Sequence, residues 1–178
     1  MAGWRITTIN GLFLAAYFMP TWAVSAFRIV IHPMLGIYER ANIGPVTYVS
    51  DAFQFTTLGI VRFAWLLVVA KLVVVAFFAL FAVLTWRGRR SNRADGDEAL
   101  VLAFMLGGIV SVGSMLAASS VGEPDALRLH ATEALMLLGG FVVFAIDSQS
   151  YGVQPRVEAR PEPALVPTVA AAPVARMA

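Results

Sequence analysis

The sequence predicts an all-α integral membrane protein, a bundle of four transmembrane helices followed by a disordered C-terminal tail. Three observations carry this expectation. The 178 residues are 59% hydrophobic and 13% charged, with a mean hydropathy of +0.77, whereas soluble domains hold roughly 25% charged residues. Four runs, about 8–32, 57–86, 97–120 and 126–147, are apolar enough and long enough to cross a hydrocarbon layer of about 30 Å, which takes about 20 helical residues. Arginines gather at the ends of these runs and are scarce within them. Residues 1–147 therefore read as a transmembrane domain, and 148–178 as a Pro/Ala-rich cytoplasmic tail.

The run from Thr57 to Trp86 is the firmest. It holds one lysine, Lys71, and is followed directly by Arg87, Arg89, Arg90 and Arg93. Short basic flanks stay on the cytoplasmic side, so this end is expected to face the cytoplasm. The first run follows Arg5 and is expected to start inside. Pro20 within it removes one helical hydrogen bond and predicts a kink whose freed carbonyl neighbouring helices cover. Val24, Ser25 and Ala26 have the small side chains of a signal-peptide cleavage site. Pro20 and Trp22 make an unusual approach to such a site, so an uncleaved helix is expected.

Between the first two spans, Pro33, Gly36, Gly44 and Pro45 break any long helix, and an outer connecting loop is expected. Tyr38, Tyr48, Phe53 and Phe55 suit headgroup level, and Ser50 or Asp51 suits a cap for the second span. Asp95 and Glu98 fit a capping box, placing the start of the third span near Asp97. Its small residues Ala103, Gly107, Ser111, Ser114 and Ala118 form one stripe, which lets helix backbones approach closely in lipid. That stripe predicts a central position for the third span. Pro124 and Asp125 begin the fourth span, expected to end at Asp147. The tail beyond holds five of the nine prolines and no periodic apolar face, a disordered or polyproline-like composition.

Two polar stripes are expected to face the bundle interior. On the first span they are Asn10, Tyr17, Thr21, Ser25, Arg28 and His32; on the fourth, His130, Glu133 and Asp147 in the series 130, 133, 137, 140, 144, 147. A charge facing lipid costs at least about 2.5 to 3.5 kcal/mol. Arg28, Lys71 and Glu133, all placed in the outer half of the layer, are therefore expected to form an intramembrane charge cluster, with Glu133 bridging Arg28 or Lys71. Arg62 lies nine residues before Lys71, about half a rotation away, and is expected at the outer headgroups instead.

Composition also excludes. With no cysteine there is no disulfide, Cys-ligated zinc, iron–sulfur cluster or thiol catalysis. G-x-S-x-G, P-loop and H-E-x-x-H motifs are absent, so a classical enzyme is not indicated. The formal charge of +2 arises from twelve arginines and one lysine against eleven acids, and the arginines at helix ends are explained by topology, so no nucleic-acid partner is implied. Arginine outnumbering lysine, with abundant Ala and Val, suggests a bacterial inner membrane.

The expected partners are the lipid bilayer and other membrane subunits. The expected role is a non-enzymatic accessory or assembly subunit of a larger inner-membrane complex. Two alternatives stay open. His32 and His130, the two histidines of the chain, are candidate ligands of a single haem b, and Lys71 and Glu133 are candidates for the path of a small ion or solute transporter.

Overall fold

The computed structural model describes residues 5–87 and 93–152, except the side chains of 93–95 and 150–152. Six helices follow one another: α1 (Ile6–Ile31), α2 (Pro33–Ile37), α3 (Ile43–Phe53), α4 (Thr57–Arg87), α5 (Arg93–Val121) and α6 (Pro124–Gly152). Among the described residues there is no strand. α1, α4, α5 and α6 are long and apolar enough to cross a membrane. On α4, the exposed Trp65 and Trp86 are twenty-one residues apart, about 31 Å at 1.5 Å per residue, which matches the distance between the two aromatic belts of a bilayer.

The four long helices close a ring: α1 packs on α4 and α6, and α5 packs on α4 and α6. No helix is central, which corrects the position expected for α5. Its small-residue stripe does face inward, with Ala103, Gly107, Ser111, Ser114 and Ala118 all buried. Apolar burial drives no association in lipid, so close contact and ring geometry must supply it. Phe18 of α1 stacks on Phe78 of α4 at 5.6 Å between centroids, and Phe78 meets Phe104 of α5 edge-on at 6.1 Å. Leu14 and Phe104 close over Gly140, and Val74 and Leu137 close over Gly107.

The inward face of α1 departs from expectation. The buried residues are Thr7, Gly11, Leu14, Ala15, Phe18, Trp22, Ser25, Ala26 and Ile29. At 100° per residue, the polar series through Asn10, Tyr17, Thr21, Arg28 and His32 is turned about 80° from the centre of that face. Of the expected stripe Ser25 is buried, Asn10 and Tyr17 are half-buried, and Thr21, Arg28 and His32 are exposed. Thr21 tolerates this because its hydroxyl donates to the Tyr17 carbonyl at 2.7 Å, in the turn around Pro20.

The connection from α1 to α4 is built from two short helices instead of a plain loop. Pro33 opens α2 at a position where no backbone donor is needed. The two glycines taken as breakers serve close approach. A Cβ on Gly36 would lie 2.6 Å from the Ile29 Cα, and one on Gly44 would lie 2.9 Å from the Ala118 Cα. α2 is thereby pressed along the end of α1, and α3 onto α5. Ser50 and Asp51 lie inside α3, which ends at Gln54 in a left-handed conformation (φ 50°), so neither caps α4.

At the opposite end, Arg5 joins three helices. Its guanidinium reaches Asp147 of α6 at 3.0 Å and Asp97 of α5 at 3.3 Å, and the Thr7 hydroxyl also donates to Asp147. The start of α1 and the end of α6 therefore share one end of the bundle. Held this way, Asp147 does not terminate α6, which continues to Gly152. α5 begins at Arg93, ahead of Asp97, so Asp95 falls in its first turn. The Asp95 side chain, Arg89, Arg90 and the tail beyond Gly152 lie outside the described residues.

Gly44→Val forces α3 away from α5 and should cost about 1 to 3 kcal/mol, the usual range for overpacking, read as a lower melting temperature in detergent. Gly113→Ala, at a helical position with no atom within 4 Å of the added Cβ, should leave stability unchanged or slightly raised.

Candidate functional site

The buried polar side chains converge at one depth. α4 and α6 run in the same direction, and Val74 and Leu137 both touch Gly107, so three to four residues earlier Lys71 and Glu133 leave their helices at nearly the same height. On α4 that height is six residues from Trp65, about 9 Å inside the aromatic boundary, and about 22 Å from Trp86. Both side chains are almost fully enclosed, Lys71 at 2% and Glu133 at 3% exposure. Helix side chains lean toward their own N-terminus, which carries both head groups toward the end capped by α2 and α3.

Lys71 meets neutral acceptors there. Its Nζ donates to Asn42 Oδ1 at 2.6 Å, Ser25 Oγ at 3.0 Å and the Ala41 carbonyl at 3.3 Å. Asn42, fully buried, is held by its Nδ2, which donates to the Gly36 carbonyl at 2.8 Å and to Ser25 Oγ at 3.3 Å. Two of the three acceptors belong to the turn between α2 and α3. An ammonium has three hydrogens and no acceptor capacity, so this set matches it one for one. Tight hydrogen bonding offsets the cost of placing the charge in a low-dielectric layer.

Glu133 lies in a second arrangement. Trp22 Nε1 donates to one oxygen at 2.9 Å, and His130 Nδ1 lies 3.0 Å from the other. Facing a carboxylate, Nδ1 carries the hydrogen. His130 Nε2 is then left buried with no hydrogen-bond partner among the described residues, and so is Ser111 Oγ on α5. By the same register Ser111 belongs to the layer of Glu133, one turn beyond Gly107.

The expected charge cluster is thus divided. Arg28 is exposed and pairs with Glu39, at the end of the α2 turn, instead of Glu133. No ion pair joins Lys71 to a carboxylate among the described residues. Arg62 is exposed, on the face of α4 opposite Lys71. Ser25, Asn42, Trp22 and the His130–Glu133 contact complete the site; Ser25, His130 and Glu133 belong to the stripes expected to face inward, whereas Asn42 and Trp22 carry no such expectation. The i, i+3 spacing of His130 and Glu133 was the available signal. For Asn42 there was none.

The two histidines do not converge. His130 is enclosed at 2% exposure, whereas His32 is exposed at the end of α1, in a groove with Arg28 and Glu39. A haem iron needs both imidazoles on opposite faces of one macrocycle, and an Nε2 already walled in by protein leaves no room for the ring. The residues present do not fit that group. The described residues also contain no cluster of three or more His, Asp or Glu able to hold a metal ion. Comparison with known proteins finds no matching family, no similar curated protein and no similar solved structure.

Glu133→Gln weakens one hydrogen bond between helices, from Trp22 of α1, and one within α6, with His130, and should lower stability by about 0.6 to 2 kcal/mol. Adding Arg28→Met should be additive within roughly 0.3 to 0.5 kcal/mol, because Arg28 and Glu133 share no partner. Thermal unfolding of both single variants and the double variant checks this, and recovery on adding Arg28→Met would contradict the separation of the two pairs.

Proposed function

We propose that the chain is a multi-pass bacterial inner-membrane protein with both termini cytoplasmic, serving as a non-enzymatic accessory or assembly subunit of a larger membrane complex. One observation carries the reading. The interior donors and acceptors are largely consumed by bonds within the chain, while a groove of about 440 Å³ stays open on the outer surface between α3, α4 and α5. Its α5 wall presents Ile109, Gly113, Ala117 and Ser120, with no atom within 4 Å of a Cβ placed on Gly113. A small-xxx-small ridge open to the hydrocarbon layer, flanked by Phe63, Leu67 and Tyr48, suits the packing of a transmembrane helix from another subunit. The orientation rests on Arg5, Arg87, Arg89, Arg90, Arg93, Arg156, Arg160 and Arg176 on the inner side, against Arg40 and Arg128 in outer segments.

A second reading, a path for protons or small ions through Lys71 and Glu133, is favoured by a separate observation. His130 Nε2 and Ser111 Oγ are buried polar atoms without partners among the described residues, at the depth of Glu133. Such groups in a membrane interior are suited to ordered water. Proton flux into proteoliposomes that falls in Glu133→Gln would support this path over the subunit reading.

Under mild detergent the natural protein should migrate as part of an assembly containing chains other than itself. Gly113→Phe, which fills the groove, should release it as a single chain with its melting temperature unchanged. Migration of the natural protein alone, or only with copies of itself, would contradict the subunit reading. For orientation, a periplasmic-active reporter should work after Arg40 and fail after Ala178.

A further inference from the structure

At the end capped by α2 and α3, the outward side of α1 and α2 forms a pocket of about 420 Å³. Phe27, Ile31 and Leu35 make one wall apolar, and Arg28, His32 and Glu39 make the other polar. Its height is fixed by packing: Ala26 and Ile29 share a cluster with Ala64 and Val68, the residues on either side of the boundary tryptophan Trp65. The pocket therefore opens where lipid phosphates meet hydrocarbon. The fold does not use up its polar groups. The Arg28 side chain is 62% exposed and contacts Glu39 through Oε1, the second oxygen, Oε2, being buried with no donor among the described residues.

We propose that this pocket binds the headgroup of a phospholipid bearing a primary amine. The phosphodiester lies against Arg28 and His32, the acyl chain runs along Phe27, Ile31 and Leu35, and the ammonium donates to Glu39. Three features select this chemistry. An arginine with a neighbouring imidazole suits a phosphate, which accepts several charge-assisted hydrogen bonds. Arg28 and Glu39 already neutralise each other, so a net anionic headgroup would set a second negative charge beside Glu39, whereas a zwitterion offers each its opposite. Glu39 Oε2 is buried, whereas Oε1 accepts only from the exposed Arg28 and keeps lone-pair capacity; a primary ammonium has N–H groups to give it while a trimethylammonium has none. The apolar wall distinguishes a lipid from free phosphate.

The test uses full-length protein stripped of lipid in detergent. Phosphatidylethanolamine, phosphatidylcholine and phosphatidylglycerol of identical acyl chains, and inorganic phosphate, are added separately. Melting temperature and lipid retention by native mass spectrometry are read for each. Phosphatidylethanolamine should raise the melting temperature and be retained best, and inorganic phosphate should do neither. Arg28→Gln should weaken retention at least about tenfold, as expected for loss of a charge-assisted contact, and Glu39→Gln should erase the preference over phosphatidylcholine. If Arg28→Gln lowers the lipid-free melting temperature, His32→Gln on the exposed rim replaces it, with the same loss of retention expected. Equal effects of all three lipids, a shift with inorganic phosphate alone, or retention unchanged in these variants would overturn the proposal.

Discussion

A primary ammonium on a helix that crosses a hydrocarbon layer must find acceptors or leave the layer, and the position of Lys71 permits only a short escape toward the nearer boundary. Much of the architecture at that end follows from meeting this demand. The turn joining α2 and α3 delivers Asn42 and the Ala41 carbonyl to the ammonium, and α1 delivers Ser25. Bringing that turn inside the ring requires α2 to lie flat against α1 and α3 against α5, and at both contacts the chain has a glycine where a Cβ would collide with backbone. Arg40 adds a tie from the same turn to the start of α6, its Nε donating to the Asp125 carbonyl at 2.8 Å.

Lys71 and Glu133 leave their helices at equal depth, yet each is satisfied by neutral or ring donors and acceptors and not by the other. A direct buried ion pair must overcome the desolvation of both ions, and its net benefit is often small. Dividing the charges between two hydrogen-bonded sets ties more elements together: one set links α1, α4 and the α2–α3 turn, and the other links α1 and α6. A polar interior spent on register in this way leaves the outward surface as the place on which the proposals of binding rest. That is why the open small-residue groove and the amphipathic pocket beside Arg28 carry the functional readings.

Legibility in the sequence tracked the range of the physics. The long apolar helices announce themselves by length alone, and the inward stripes of α5 and α6 follow from helical period because the residues that define them are packed on it. On α1 only Ser25 of the expected polar stripe is buried, because others of its polar residues are satisfied away from the interior. Thr21 bonds its own backbone and Arg28 finds Glu39 eleven residues on, so the interior falls to Phe18, Trp22 and Gly11. Nor does local pattern reveal Arg5 holding Asp147 across 142 residues, which extends α6 past its expected end. Asn42 is the extreme case: an ordinary loop residue by sequence, it makes the shortest of the contacts to Lys71.

The central claim is that the Lys71 ammonium holds the α2–α3 turn in the bundle, and amide hydrogen exchange reads that directly. In the natural protein, the amides of Ile43 and of Val46 to Val49 should be protected to nearly the same degree as those of α5. In Lys71→Met, which keeps the unbranched apolar stem of the side chain and removes its donors, exchange in that segment should rise selectively while α5 and α6 keep their protection, because local opening needs only the contacts of the turn to fail. Unchanged protection of this segment in Lys71→Met would contradict the account, since the turn would then be held by packing at Gly36 and Gly44 and by the Arg40 tie without the ammonium.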